Sequence, residues 1–121
     1  MNIKTVLIVD DDSRNIFALS AVLRSKGFDI VSASSGTEGL RLLKNNGNIQ
    51  VVLMDIMMPD MDGYEAISQI RSDPAIADIP VIAVTAQAMV GDREKTLEAG
   101  ANAYVSKPVD IDVLLHLLNK Y

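Results

Sequence analysis

The stretch Val6-Leu7-Ile8-Val9-Asp10-Asp11-Asp12 joins an unbroken apolar run to three consecutive aspartates. Two more runs of this kind, Val51–Met54 and Val81–Val84, follow later in the chain. An unbroken run, as opposed to an alternating one, is typical of a parallel strand that is covered on both faces. Phe28–Ala33 and Ala103–Val105 are weaker candidates, and the polar residues within the former favour an edge strand. The sequence therefore predicts five short strands.

Apolar residues at helical spacing follow each predicted strand. Because strands and helices alternate along the chain, residues 1–121 are expected to form a single α/β domain, a doubly wound (βα)5 fold with a five-stranded parallel sheet. The fourth helix, predicted over 91–99, has the thinnest apolar stripe, which indicates weak packing. The helices are marked in turn by Ile16, Leu19 and Leu23; by a capping box at 35–38 with Leu40 and Leu43; by Tyr64, Ile67 and Ile70; by Val90, Leu97 and Ala101; and by Ile111, Leu114, Leu115 and Leu118.

Composition excludes several classes of function. The chain has 11 basic and 16 acidic residues and a net charge of −5, which argues against direct binding to nucleic acid. It has no cysteine, and therefore neither a disulfide scaffold nor a thiolate metal site. Its apolar runs are far shorter than the roughly 20 residues of a membrane span, so membrane insertion is not expected. The N-terminus lacks the apolar core of a signal peptide, and a cytoplasmic location is the expectation.

Polar residues follow four of the predicted strands. These are Asp10–Asp12, Asp55, Thr85 and the run Ser106-Lys107-Pro108. The carboxyl ends of parallel strands meet at one edge of the sheet, where such folds bind ligands. Asp12 or Ser13 is enough to cap the following helix, which leaves Asp10 and Asp11 without a role as caps. The remaining carboxylates would repel one another unless a cation lay between them, and oxygen ligands alone select a hard ion such as Mg²⁺.

The other two strand-end residues extend this interpretation. An isolated Lys107 would be a surface lysine, and an isolated Thr85 would be an ordinary strand residue. The bond from Lys107 to Pro108 is a candidate cis peptide that would orient the ammonium group. Carboxylates, a dication, a hydroxyl and an ammonium together favour a phosphoryl site in which one aspartate is the nucleophile. Nucleotide binding has no support, because the chain lacks both glycine-rich phosphate loops.

Four motifs in this order and spacing resemble the receiver domain of two-component response regulators, over essentially the whole chain. They are residues 9–12, 54–63, 84–86 and 104–108. The resemblance implies a flavodoxin-like sheet in the order 2-1-3-4-5. It also implies that Asp55 accepts a phosphoryl group from a histidine kinase or a histidine phosphotransfer protein. Asp10 and Asp11 would then hold Mg²⁺ together with Asp55 and the backbone carbonyl of Met57.

The resemblance further implies a switch. Thr85 and Lys107 would bind the phosphoryl oxygens, and Tyr104 would turn inward as Thr85 moves. The surface of the fourth helix, fifth strand and fifth helix, around Arg93, Lys95 and Glu98, would then bind an effector domain or protein. Such a domain catalyses only its own phosphorylation and dephosphorylation. The sequence is similar to receivers of hybrid sensor kinases, or to free-standing relay receivers, at Asn15, at Met57 and at residues 85–89.

Three other functions are alternatives to this one. A haloacid-dehalogenase-type phosphatase also uses an aspartate and a lysine, but its general acid would occupy the position of Met57. A pure interaction module would keep the fold without being phosphorylated, and the complete set of site residues argues against it. A flavodoxin-like redox protein would need a hydroxyl-rich phosphate loop before the first helix, and the chain has no tryptophan to stack on a flavin.

Overall fold

The three unbroken apolar runs form the centre of the sheet. The computed structural model describes residues 4–86 and 92–121. Within them, five parallel strands lie in the order β2-β1-β3-β4-β5, which confirms the predicted fold and strand order. The strands are β1 Thr5–Val9, β2 Asp29–Ala33, β3 Ile49–Asp55, β4 Val81–Thr85 and β5 Ala103–Ser106. The helices are α1 Ser13–Ser25, α2 Gly36–Asn45, α3 Gly63–Ser72, α4 Asp92–Ala99 and α5 Ile111–Lys120.

The sheet separates two apolar cores. Alternate residues of β1 point to opposite sides, so that Leu7 and Val9 belong to one core and Val6 and Ile8 to the other. The first core includes buried residues of α2 and α3, and the second includes buried residues of α1 and α5. Strand β2 is at the edge, with the side chains of Asp29 and Ser32 exposed. None of the described helices has the length and apolar character needed to cross a membrane.

Aspartate and serine side chains begin the helices. The Asp12 carboxylate accepts the Arg14 N–H at the start of α1, so the cap predicted for this helix is formed by Asp12. Ser35 accepts the Glu38 N–H, as the capping box predicts. The Glu38 carboxylate itself accepts the Ser34 hydroxyl at 3.3 Å. Because Asp12 is the cap, Asp10 and Asp11 remain available for another role.

Helix α4 packs differently from the sequence prediction. Leu97, expected on the buried side, is 38% exposed, and the side chain that is fully buried is Thr96. Val90 and Gly91, which were predicted to begin this helix, lie outside the described residues. Lys95 is exposed, as expected for a partner surface, and its ammonium lies 4.4 Å from the centre of the Tyr64 ring on α3.

Arg71 joins the end of α3 to the segment that leads into β5. Its guanidinium donates to the Gly100 carbonyl at 2.9 Å and to Asn102 Oδ1 at 2.8 Å. Gly100 has φ +118°, a conformation that favours glycine. Asn102 Oδ1 also accepts the Val81 N–H at 2.9 Å, which links the starts of β4 and β5. These bonds fix the strand whose opposite end leads to Lys107.

Candidate functional site

Three carboxylates lie close together at the C-terminal ends of the strands. Asp10 follows β1 directly, Asp11 comes next, and Asp55 ends β3. Each offers one oxygen, and these oxygens lie within 4.8 Å of one another. Asp10 is 3% exposed and Asp55 is 4% exposed, whereas Asp11 is open to solvent. The structure thus brings together the carboxylates that the sequence analysis selected.

Lys107 is shared between the two buried carboxylates. Its ammonium lies 3.3 Å from Asp10 Oδ2 and 3.6 Å from Asp55 Oδ2. Its backbone N–H donates to the Thr85 carbonyl at 2.7 Å, and the peptide bond to Pro108 is cis, as proposed from the sequence. In the part of the chain that the structure describes, one cation faces these three carboxylates, so the charges there are negative in excess.

The carboxylate of Asp10 is held by hydrogen bonds at both oxygens. Oδ1 accepts the Asp12 N–H at 2.9 Å, and Oδ2 accepts the side-chain amide of Asn15. Sequence reasoning selected Asn15 only as a subtype feature and missed this contact. Its place in the first turn of α1, five residues after Asp10, puts it near the end of β1, but this spacing does not by itself fix the contact.

Asp55 is in an unfavourable environment for a charge. Burial, and next the negative Asp10, raise the pKa of its carboxyl to about 6, although Lys107 and the Met57 N–H act in the opposite direction. The Met57 N–H donates to Asp55 Oδ1 at 3.2 Å. A dication beside Asp55 would favour the ionised form, which is the form that acts as a nucleophile.

Thr85 and Tyr104 lie on neighbouring strands. Thr85 ends β4, is 3% exposed and pairs with Ser106, whereas Tyr104 is half-buried and pairs with Ala83. In the parallel ladder these four residues share one face of the sheet. Tyr104 therefore lies on the same face of the sheet as Thr85. It is two residues before Ser106, the residue that pairs with Thr85.

The segment between β3 and α3 turns closely over the site. The Gly63 N–H donates to the Ile56 carbonyl at 2.9 Å, and a Cβ on Gly63 would lie 2.7 Å from the Asp55 carbonyl oxygen. The Asp60 carboxylate accepts the Thr37 N–H at 3.4 Å and the Thr37 hydroxyl at 3.3 Å, which ties this segment to the start of α2. Met57 therefore begins a constrained segment, and its side chain is 52% exposed.

The donor set fits a magnesium ion. The three clustered groups are all carboxylates, without histidine or cysteine, and hard oxygen donors are the ligands that Mg²⁺ prefers. The excess negative charge gives the protein a reason to bind a dication. The expectation of magnesium therefore rests on the carboxylate oxygens of Asp10, Asp11 and Asp55.

Comparisons with known proteins identify the family. Residues 6–119 match the family model of the response regulator receiver domain, and the chain belongs to that family. The polar-differentiation response regulator DivK of Brucella ovis is 34% identical over 98% of this chain and 95% of its own. A response regulator receiver protein from Pseudomonas putida has a TM-score of 0.92 at 30% identity and covers 100% of this chain and 99% of its own.

A further solved structure bears on the site. The receiver domain of a sensor histidine kinase from Pseudomonas aeruginosa has a TM-score of 0.88 at 33% identity, covering 99% of this chain and 98% of its own. That domain has a magnesium ion coordinated in its active-site cleft. The family assignment confirms the resemblance stated above: the chain is a receiver domain of two-component signalling, with a phosphoacceptor role. Receiver domains are signalling switches, which favours this interpretation over the phosphatase and flavodoxin-like alternatives.

Proposed function

We propose that Asp55 is the phosphorylation site and that it accepts the phosphoryl group from a phosphohistidine on a histidine kinase or histidine phosphotransfer protein. The main support is that Asp55 lies at the end of the central strand β3, with Lys107 and a second carboxylate beside it. In the transfer, an Asp55 oxygen forms a bond to phosphorus as the phosphorus–nitrogen bond of the donor breaks. The electron pair of that bond stays with the imidazole.

Magnesium is the proposed cofactor. Asp10, Asp11, Asp55 and the backbone carbonyl of Met57 would hold it. When bound, the ion offsets the negative charge of the carboxylates and of the incoming phosphoryl group. Thr85 and Lys107 would bind the phosphoryl oxygens, and Lys107 already lies 3.6 Å from Asp55 Oδ2.

The output would be a change in the surface formed by α4, β5 and α5. A phosphoryl group adds roughly −1.5 to −2 charges, which would draw the Thr85 hydroxyl and the Lys107 ammonium toward Asp55. Tyr104, on the same face as Thr85, would follow. The exposed Arg93 and Glu98 on α4 belong to the surface that an effector domain or protein would bind.

Three predictions complete the proposal. Residues 1–121 act as one receiver domain, and the family match over residues 6–119 supports this extent. The domain catalyses its own phosphorylation and dephosphorylation without turnover of a substrate. The cytoplasmic location stays a prediction from the sequence.

Phosphorylation with a small donor tests the proposal. The protein is incubated with acetyl phosphate and Mg²⁺, then measured by intact mass and peptide mapping. We expect one phosphoryl group on Asp55, absent in Asp55→Asn and absent when EDTA removes the ion. Asp29→Asn is the matched control, because it removes an exposed carboxylate outside the site, and it should be phosphorylated like the wild type. A protein that is never modified would instead be an interaction module, and modification of another residue would refute the role of Asp55.

A further inference from the structure

We propose that Asn15 is a positioning residue for the metal site: its side-chain amide holds Asp10 in the orientation that binds Mg²⁺. The inference depends on the magnesium site of the proposed function. Asn15 is half-buried in the first turn of α1, and its Nδ2 donates to Asp10 Oδ2. The Asp12 cap begins the helix between these two residues and so fixes where Asn15 projects.

The hydrogen bonds of Asp10 explain why an amide suits this position. Oδ1 accepts the Asp12 N–H, and Oδ2 accepts the Asn15 amide and lies 3.3 Å from the Lys107 ammonium. Asp10 is 3% exposed, so its charge needs protein partners. A lysine or arginine at position 15 would supply one but would repel a dication. The neutral amide of Asn15 stabilises the carboxylate and adds no positive charge to the site.

Loss of this amide would change two other contacts. Asp10 would be held less firmly, because its Oδ2 would lose the Asn15 amide and keep only the Lys107 ammonium beside it. The Lys107 ammonium, now shared between Asp10 and Asp55 at 3.3 and 3.6 Å, would shift toward Asp10 to offset its charge. Both changes disfavour a metal ion among the three carboxylates. Partners of this kind, which orient a metal ligand without touching the ion, typically alter metal affinity about 10–100-fold when removed.

The test is a calorimetric titration of the full chain with Mg²⁺. Asn15→Leu keeps a similar volume and removes the donor, and Asn15→Gln restores an amide. Ala18→Leu is the matched control, because Ala18 lies on the same helix and lines the same groove beside Lys107 as Asn15 does. Circular dichroism in EDTA checks that each variant is folded. If Asn15→Leu does not fold, Asn15→Ala replaces it under the same criterion.

We expect Asn15→Leu to raise the Kd for Mg²⁺ about tenfold or more, with Asn15→Gln closer to the wild type. Ala18→Leu should stay within about twofold of the wild type, as for a neutral surface change. A Kd of Asn15→Leu that is unchanged or lower overturns the inference, as does equal weakening by Ala18→Leu. Wild-type protein that binds no Mg²⁺ overturns both this inference and the proposed metal site, whereas normal wild-type binding with an unaffected Asn15→Leu overturns the inference alone.

Discussion

Asp55→Asn should stabilise the metal-free protein at neutral and alkaline pH. Burial and the neighbouring Asp10 raise the pKa of the Asp55 carboxyl from 3.8 to about 6. At about 1.4 kcal/mol per pH unit, this rise corresponds to about 3 kcal/mol that the ionised Asp55 subtracts from the free energy of unfolding. Asparagine removes the charge and keeps an oxygen for the Met57 N–H, which now lies 3.2 Å from Asp55 Oδ1. Since a buried amide also has a desolvation penalty, we expect a gain of about 1–3 kcal/mol.

The pH dependence follows from the direction of the shift. A carboxyl whose pKa is higher in the folded state binds its proton more tightly there than in the unfolded state. Below pH 3.8, Asp55 is protonated in both states and does not lower the free energy of unfolding of the wild type. As the pH rises through about 6, Asp55 ionises in the folded state, and the free energy of unfolding has by then fallen by the full amount. The advantage of Asp55→Asn should accordingly be small near pH 4 and complete above about pH 7.

Urea unfolding in EDTA across this pH range measures the effect. Asp29→Asn again serves as the control, because its exposed carboxylate should give little change at any pH. Adding Mg²⁺ at alkaline pH should stabilise the wild type more than Asp55→Asn, because the ion offsets the same charge. A variant that is less stable than the wild type at alkaline pH, or a gain that does not vary with pH, would refute the reasoning.

Three more predictions concern single side chains. Asp11→Asn should weaken Mg²⁺ binding in a calorimetric titration without lowering the stability of the metal-free protein, and unchanged affinity with a loss of stability would contradict the cluster interpretation. Met57→Asn should speed the loss of the phosphoryl group, measured by intact mass over time, because the apolar Met57 would shield Asp55 from water; an unchanged rate would refute this role. Thr96→Val should raise the free energy of unfolding in urea by about 1 kcal/mol, because the fully buried Thr96 hydroxyl has no hydrogen-bond partner among residues 4–86 and 92–121, and a loss of stability would show that the hydroxyl is needed.

Much of the fold could be predicted because the strands have strong sequence signals. The runs that became β1, β3 and β4 are buried on both faces, so each position in them is apolar and the pattern leaves little ambiguity. The site could be predicted for a related reason. Parallel strands place their carboxyl ends at one edge, so Asp10, Asp55 and Lys107 had to converge once the strands were assigned.

Two features could not be predicted, because packing between distant residues decides them. Helix α4 is polar along most of its length, so no period defines its inner face, and contact with neighbouring elements buries Thr96 instead of Leu97. The contact between Asn15 and Asp10 likewise depends on the angle at which α1 leaves the sheet. A sequence pattern records the spacing of residues and contains no information on such angles.

A crystal structure grown with Mg²⁺ tests the central claim most directly, namely that the three clustered carboxylates form a cation site that prepares Asp55 for phosphorylation. The account predicts one ion among Asp10, Asp11 and Asp55, with the Met57 carbonyl as a further ligand and Mg–O distances of about 2.1 Å. Crystals with Mg²⁺ at high concentration in which this edge of the sheet holds no ion, or in which the ion binds elsewhere, would contradict it.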